Sequence, residues 1–292
     1  MSLLCRPDMP VDLHTHSRFS DGSDTPTELV TKAKAIGLSA IALTDHDTLE
    51  GIAEARSAAE RLGIEVVPGV EISCEWSPGT LHMVVLFLEP GPGPLQDRLA
   101  GLQVARATRN DRIVEKLSEL GIDITIEEVV EEAGGGVVGR PHIAAVLVRK
   151  GAVEDIRGAF DEYIANGGPA YVGRERLTPE DSIDLARRSG ALAILSHPYT
   201  MGLESETQFR EAFAHLASSG MTGIDCYYPE YSPDERESMA EMCRSFGMIP
   251  SGGSDYHGTY KEGLQLGTGW GDLVVRDEVL VELKAARSAL MS

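Results

Sequence analysis

The residues best suited to chemistry are nine potential metal ligands: His14, His16, Asp21, His46, Glu71, His82, His197, Asp255 and His257. Most sit in compact words: Asp12-Leu13-His14-Thr15-His16, Ser20-Asp21-Gly22, Thr44-Asp45-His46-Asp47, Pro68-Gly69-Val70-Glu71, Ser196-His197-Pro198 and Ser254-Asp255-Tyr256-His257. Six of the eight histidines are among the nine, so imidazole is concentrated in these positions rather than scattered. Imidazole binds transition metals well, and carboxylates bind harder ions and can bridge two of them. The mixture suits two or three divalent ions of the Mn, Zn or Fe kind.

Each word has a dull alternative. A lone His-x-His pair is often structural, but on a strand end both imidazoles point to one side because side chains alternate. Asp21 and the downstream words then favour a shared metal cluster. His46 is the ligand of its word, while Asp45 or Asp47 could orient an imidazole or, for Asp47, cap the next helix. Glu71 follows a proline and a glycine that are expected to end a strand, and its two oxygens could bridge two ions. Gly139-Arg140-Pro141-His142 opens a helix, where a helix N-terminus and a guanidinium together favour an anion. Arg140 is therefore read as a phosphate clamp. His142 is either substrate-facing or merely local. Tyr171, Arg174 and Arg176 could meet a base and a second phosphate, although each is also an ordinary surface residue. Gly134-Gly135-Gly136 lacks the Lys-Ser/Thr of a P-loop, and no serine-centred nucleophile elbow is present.

The elements that must position these groups alternate. Strands are expected at 9–13, 40–43, 65–70, 81–88, 191–195, 223–226 and 248–251. Helices are expected at 25–36, opened by the Thr25-Pro26-Thr27-Glu28 capping box, at 49–62, 178–189 and 233–246, after 197 to about 219, and at 277–289. A mostly helical stretch interrupts this order, with helices at 95–120, 126–133, 141–150 and 154–165. The expected organisation is a barrel in two parts, 10–94 and 171–290, with an inserted helical lid at 95–170. Most ligand words fall at or just past strand C-termini, the face that carries active sites in such barrels. Only His82 lies inside its strand. Seven strands, one fewer than the usual barrel, predict a distorted version.

The chain of 292 residues, 42% of them hydrophobic, is long enough for a sizeable core. No long apolar run predicts a membrane span, and the first ten residues lack the pattern of a signal peptide, so the expected location is the cytoplasm. Cys5, Cys74, Cys226 and Cys243 have no CxxC spacing and read as free thiols. A formal net charge of −20 excludes a duplex-DNA binder with a basic stripe. It does not exclude a small phosphorylated substrate, because bound divalent ions make a site locally positive.

The ligand words resemble those of the PHP (polymerase and histidinol phosphatase) family of metal-dependent phosphoesterases. Asp12 to His16 with Ser20-Asp21-Gly22 is similar to its first motif, Thr44-Asp45-His46-Asp47 to its second and Gly69-Val70-Glu71 to its third. Ser196-His197-Pro198 with Ser254-Asp255-Tyr256-His257 is similar to its last. All nine ligand positions are filled. The length, the insertion and the Gly-Arg-Pro-His word resemble a stand-alone subgroup acting on nucleoside 3′,5′-bisphosphates and short oligoribonucleotides. The resemblance implies an α/β fold, a distorted (β/α)7 barrel with a mostly helical insertion. It also implies one ion on His14, His16, Glu71 and Asp255, a second bridged by Glu71 to His82 and His197, and a third on Asp21, His46 and His257. The expected activity is hydrolysis of a small phosphate monoester by a hydroxide bridging two ions, with Glu71, Arg140 and His142 in the catalytic set. The alternatives are a histidinol-phosphate phosphatase, an amidohydrolase cleaving a C–N bond, and a non-catalytic module stabilised by metals.

Overall fold

The computed structural model describes residues 10–173 and 175–292. Its strands are β1 (Pro10–Asp12), β2 (Ala40–Leu43), β3 (Glu65–Cys74), β4 (Leu81–Leu86), β5 (Leu192–Ser196), β6 (Gly223–Tyr227), β7 (Ile249–Gly252) and β8 (Val275–Arg276). They form one sheet in the order β7-β6-β5-β4-β3-β2-β1-β8. The eighth strand is additional to the seven expected. Two residues are too few for a periodic signal, and β8 simply extends the sheet antiparallel to β1. The β1 and β7 sides of the sheet also meet, because the Leu13 N–H donates to the Gly252 carbonyl at 3.2 Å and the Asp255 N–H to the His14 carbonyl at 2.8 Å. The result is a nearly closed α/β barrel.

Two departures from simple alternation place the ligands. First, β4 runs antiparallel to both β3 and β5. Its beginning therefore lies at the face where the parallel strands end, and His82 pairs with Ser196 beside His197. The one ligand that was out of pattern in the sequence is in pattern in space. Second, Pro68-Gly69 does not end β3, as the sequence reading expected. The strand pairs with β2 as far as Pro68 and with β4 from Gly69 onward. Proline removes a ladder donor where the strand changes neighbours, and glycine permits a close approach. A Cβ at Gly69 would stand 2.9 Å from the Val85 carbonyl oxygen and 3.1 Å from Thr44 Cγ2. Glu71 is consequently inside the strand, on the same face as Val67.

The barrel interior is apolar toward one end. Val11, Ala42, Val67, Val84, Leu86 and Ile194 pack there with Leu280 and Leu283 of the last helix, α10 below. The helices outside the sheet are α1 (Pro26–Ala35), α2 (Ile52–Leu62), α3 (Pro94–Glu119), α4 (Ile126–Ala133), α5 (Arg140–Arg149), α6 (Ile156–Ala159), α7 (Pro179–Arg188), α8 (Glu206–Ser218), α9 (Pro233–Ser245) and α10 (Asp277–Leu290). The Thr25–Glu28 capping box is formed. Helix α2 starts later than expected, after Gly51, without a side-chain cap. The segment expected as one helix after His197 is a 3-10 turn, Pro198–Met201, and then α8.

Residues between 113 and 172 enclose their own hydrophobic cluster, including Ile113, Leu117, Val129, Ile143, Leu147 and Ile164. Helix α3 belongs to both parts. Leu95, Leu99 and Leu102 pack in the barrel cluster, whereas Ile113, Val114 and Leu117 pack in the helical one. A division into barrel and lid at residue 95 is therefore a proposal in which one helix is shared. Among the described residues no helix is long and apolar enough to cross a membrane.

Gly69→Ala tests the strand handover. Its Cβ has no flexible side chain to displace on the carbonyl side, so the expected loss is about 1–3 kcal/mol of stability. Metal content should fall with it, because Glu71 hangs on the same backbone. Denaturant unfolding and metal analysis check this; an unchanged midpoint would show that β3 does not need glycine there.

Candidate metal centre

The nine candidate ligands converge around Glu71, which is 1% exposed. Glu71 Oε2 lies 3.4 Å from His14 Nε2, 3.2 Å from His16 Nε2 and 3.5 Å from His46 Nδ1. Glu71 Oε1 lies 3.2 Å from His82 Nδ1 and 3.1 Å from His197 Nε2. Asp255 Oδ1 joins the first set, 3.5 Å from His14 Nε2 and 3.3 Å from His16 Nε2. Asp21 gathers the rest, with Oδ2 3.6 Å from His46 Nε2 and Oδ1 3.4 Å from His257 Nε2.

Three overlapping groups have donor atoms mutually within 4.8 Å: His14, His16, Glu71 and Asp255; His16, Asp21, His46 and His257; and His46, Glu71 and His82. His197 falls outside the third group by that measure, yet its Nε2 is as close to Glu71 Oε1 as His82 is. One bridging oxygen can serve donors that stand apart from each other.

These atoms fit divalent ions on grounds of the structure itself. His14 Nε2, His16 Nε2, His46 Nδ1, His82 Nδ1 and Asp255 Oδ1 are buried and lack hydrogen-bond partners. Buried polar atoms are ordinarily satisfied, so five together facing one space ask for a ligand. Electrostatics agree. Burial opposes a proton on His14, but the charges of Asp255 and Glu71 and a hydrogen bond to Asp225 outweigh it and hold its pKa well above the usual value. Burial opposes one on His16 as well, and the adjacent carboxylates of Asp255 and Glu71 raise that pKa to about 9. Burial favours a protonated Glu71, but His14, His46 and His82 keep its pKa well below the carboxylate range. Protons and divalent cations are alternative counter-charges for such carboxylates, so ion binding displaces protons.

The backbone is held in uncommon conformations here. Of four described non-glycine residues with positive φ, three lie in ligand words: Asp47 at 58°, His197 at 30° and Asp255 at 51°. Such strain concentrates where a side chain must be aimed.

Several residues support the candidate ligands, and Asp225 is one that was not singled out from the sequence. Asp225 of β6 accepts from His14 Nδ1 at 2.9 Å and so turns Nε2 toward Glu71. Its signal was present: a carboxylate inside an otherwise apolar strand. Asp12 accepts from Ser254 N–H and Oγ at 2.9 and 2.6 Å and from Gly267 N–H at 2.8 Å, which ties the first word to the last. Asp45 accepts from Ser17 N–H, Ser17 Oγ and Ser20 Oγ, each at 2.7 Å, and so holds the loop between His16 and Asp21. Asp47 neither orients a histidine nor caps α2. It pairs with Arg106 of α3, accepting from Nε at 2.9 Å, and its carbonyl accepts from Gln103 at 2.9 Å.

The expected substrate residues gather less tightly. Arg140 opens α5, donates to the Ile164 carbonyl at 3.1 Å and lies over Phe160. Burial lowers its pKa, with Arg106 and Arg176 pushing the same way and Tyr171 and Asp21 opposing them. Arg176 Nε is buried without a hydrogen-bond partner. The Tyr171 carbonyl accepts from Lys116 Nζ at 3.0 Å. Arg174 lies outside the described residues. His142 is 1% exposed and its Nδ1 accepts from the Gly139 N–H at 3.0 Å. In the neutral ring the proton then sits on Nε2.

The sequence pattern of the PHP domain matches residues 12–165. The chain belongs to the PHP family. It is 34% identical to a 3′,5′-nucleoside bisphosphate phosphatase of Chromobacterium violaceum over 88% of this chain and 90% of that one. It is 34% identical to the 5′-3′ exoribonuclease Rnm of Escherichia coli over 84% of each chain. A solved structure described as an amidohydrolase from Chromobacterium violaceum, with bound sulfate and no metal, superimposes with a TM-score of 0.82 at 31% identity. It covers 94% of this chain and 96% of that one. The PHP protein described here is thus a metal-dependent phosphoesterase, and its buried His/Asp/Glu groups suit divalent metals.

Two substitutions test the centre. Glu71→Gln keeps the shape of the residue and removes its charge; kcat is expected to fall at least ~100-fold, about 3 kcal/mol, in a protein that still folds. Asp225→Ala should cost ~10–100-fold in metal affinity or activity. Steady-state kinetics and chelator competition check both, and a Glu71→Gln enzyme turning over normally would remove Glu71 from the centre.

Proposed function

We propose that the enzyme removes the 3′-phosphate of nucleoside 3′,5′-bisphosphates, with short oligoribonucleotides as a related substrate class. The observation that carries this reading is the guanidinium cluster beside the ligands. Arg106 and Arg176 both act electrostatically on Arg140; Arg106 is paired with Asp47, and Arg176 Nε is buried without a hydrogen-bond partner. In a chain of net charge −20 that local surplus marks a place for an anion distinct from the metal ligands. A bisphosphate offers one phosphate to each. The names of the two relatives, one a bisphosphate phosphatase and one an exoribonuclease, support the same substrate classes.

In this reading two or three ions of Mn, Zn or Fe would be held by three sets of residues: His14, His16, Glu71 and Asp255; Glu71, His82 and His197; and Asp21, His46 and His257. When bound they supply positive charge and lower the pKa of water at the site. The remaining work falls to the chain. Asp225 fixes the tautomer and direction of His14. Arg176, with the N–H groups of Arg140 not used by Ile164, orients the second phosphate. Tyr171 flanks that cluster and can offer its ring to a base. His142 Nε2–H is a free donor in the neutral ring, and in this reading it steadies the departing oxygen. The described cysteines, Cys74, Cys226 and Cys243, are free and buried, which supports a reducing, cytoplasmic location; Cys5 lies outside the described residues.

A second reading, hydrolysis of a C–N bond, has one observation behind it, the description of the solved relative as an amidohydrolase. The arginine cluster and the phosphoester substrates in the relatives' names favour phosphate.

The deciding measurement is kcat/KM for a nucleoside 3′,5′-bisphosphate against the matching 3′-monophosphate. The bisphosphate should be better by at least ~10-fold, about 1.4 kcal/mol from the added anion contact. Arg140→Ala and Arg176→Ala should narrow that ratio while metal content holds. Equal values in the wild-type enzyme would point to histidinol phosphate, and amide turnover without phosphate release would support the second reading. Chelation should abolish activity, and Mn or Zn should restore it.

A further inference from the structure

Asp255 uses its two oxygens unequally. Oδ2 accepts from the Tyr228 hydroxyl at 2.8 Å and from Lys261 Nζ at 2.5 Å. Oδ1 is buried without a hydrogen-bond partner and faces His14 Nε2 and His16 Nε2. Lys261 follows the short turn Gly258–Tyr260, just after the last ligand word, and its side chain is 36% exposed against 6% for Asp255. It is a lysine reaching in from the mouth of the site to a carboxylate that already has a neutral donor. Lys261 supplies charge to Asp255, but charge alone would not require both donors to meet the same oxygen. What the pair of donors does is occupy one oxygen completely.

We propose that Lys261, with Tyr228, is a positioning residue that confines Asp255 to a single donor oxygen. A carboxylate can bind an ion through one oxygen or through both. The two-oxygen mode would fill a coordination position that a hydrolytic centre must leave open for water or substrate. Both donors to Oδ2 block that mode. Tyr228 is held for this purpose: its carbonyl accepts from Arg236 Nε at 3.0 Å, and its ring meets those of His197 and Tyr231. Asp255 itself sits at a positive φ of 51°, which fixes the direction of its side chain. Lys261 thus controls how the centre is filled rather than whether it is filled.

The inference rests on the metal reading above and is independent of which phosphate ester is cleaved. The experiment compares wild type, Lys261→Met, Lys261→Arg and Tyr228→Phe/Lys261→Met, using an aryl phosphate as substrate. Metal stoichiometry and affinity are measured by competition with a chromophoric chelator, and the Co(II)-loaded proteins are compared by visible absorption, which weakens as coordination number rises. Lys261→Met is expected to keep its metal stoichiometry, bind as tightly or more tightly, lose ~10–100-fold in kcat and show weaker Co(II) absorption. The double variant should show the spectral change more fully, and Lys261→Arg should restore both spectrum and kcat. A Co(II) spectrum and kcat like those of wild type would overturn the proposal. So would a loss of bound metal in step with a loss of stability, which would make Lys261 a structural ion pair. Failure of the wild-type protein itself to bind metal would instead sink the metal reading.

Discussion

A single buried carboxylate organises this protein. Glu71 stands within 3.5 Å of nitrogen atoms from five histidines, carried on or beside β1, β2, β4 and β5. A glutamate at 1% exposure would be costly by itself. It is tolerated only because every side of it faces a group that can balance its charge. That requirement explains the barrel's irregularities. β3 must change partners at Pro68-Gly69 for Glu71 to reach the centre, and β4 must run backward for His82 to arrive from its own beginning.

The helical insertion is joined to this centre mechanically. Arg106 on α3 forms a buried ion pair with Asp47, which follows His46 in sequence, and the Asp47 N–H donates to the Glu71 carbonyl at 3.1 Å. On the other side Val137 N–H donates to the Phe19 carbonyl at 2.7 Å, and Tyr260 donates to Glu132 at 3.3 Å. The insertion therefore touches the loops bearing Asp21, His46 and His257. Breaking a buried pair such as Arg106–Asp47 leaves an uncompensated charge, so the position of α3 and the geometry of the candidate ligands are coupled energetically. The same joint brings arginines to the edge of the centre in an otherwise acidic protein.

The candidate ligands could be picked out in the sequence because their chemistry is local. Histidine and carboxylate types in short words, at ends of strands that periodicity can mark, already define a donor set. Strand and helix positions followed from alternation and from caps such as Thr25–Glu28, which depend on near neighbours alone. The resemblance of those words to one family supplied the barrel, and the nearly closed sheet agrees with it.

What tertiary structure alone decided depends on contacts between distant segments. The reversed direction of β4, the continuation of β3 through Pro68-Gly69 and the two-residue β8 are properties of strand pairing, which leaves no local trace. Asp47 had the look of a helix cap until Arg106, far along the chain, claimed it. Asp225 and Lys261 were ordinary residues in their own segments and came into contact with His14 and Asp255 when β6 and the turn after His257 were brought beside them. A sequence names the groups able to hold charge; which charge each one faces is set when the barrel closes and removes the water between them.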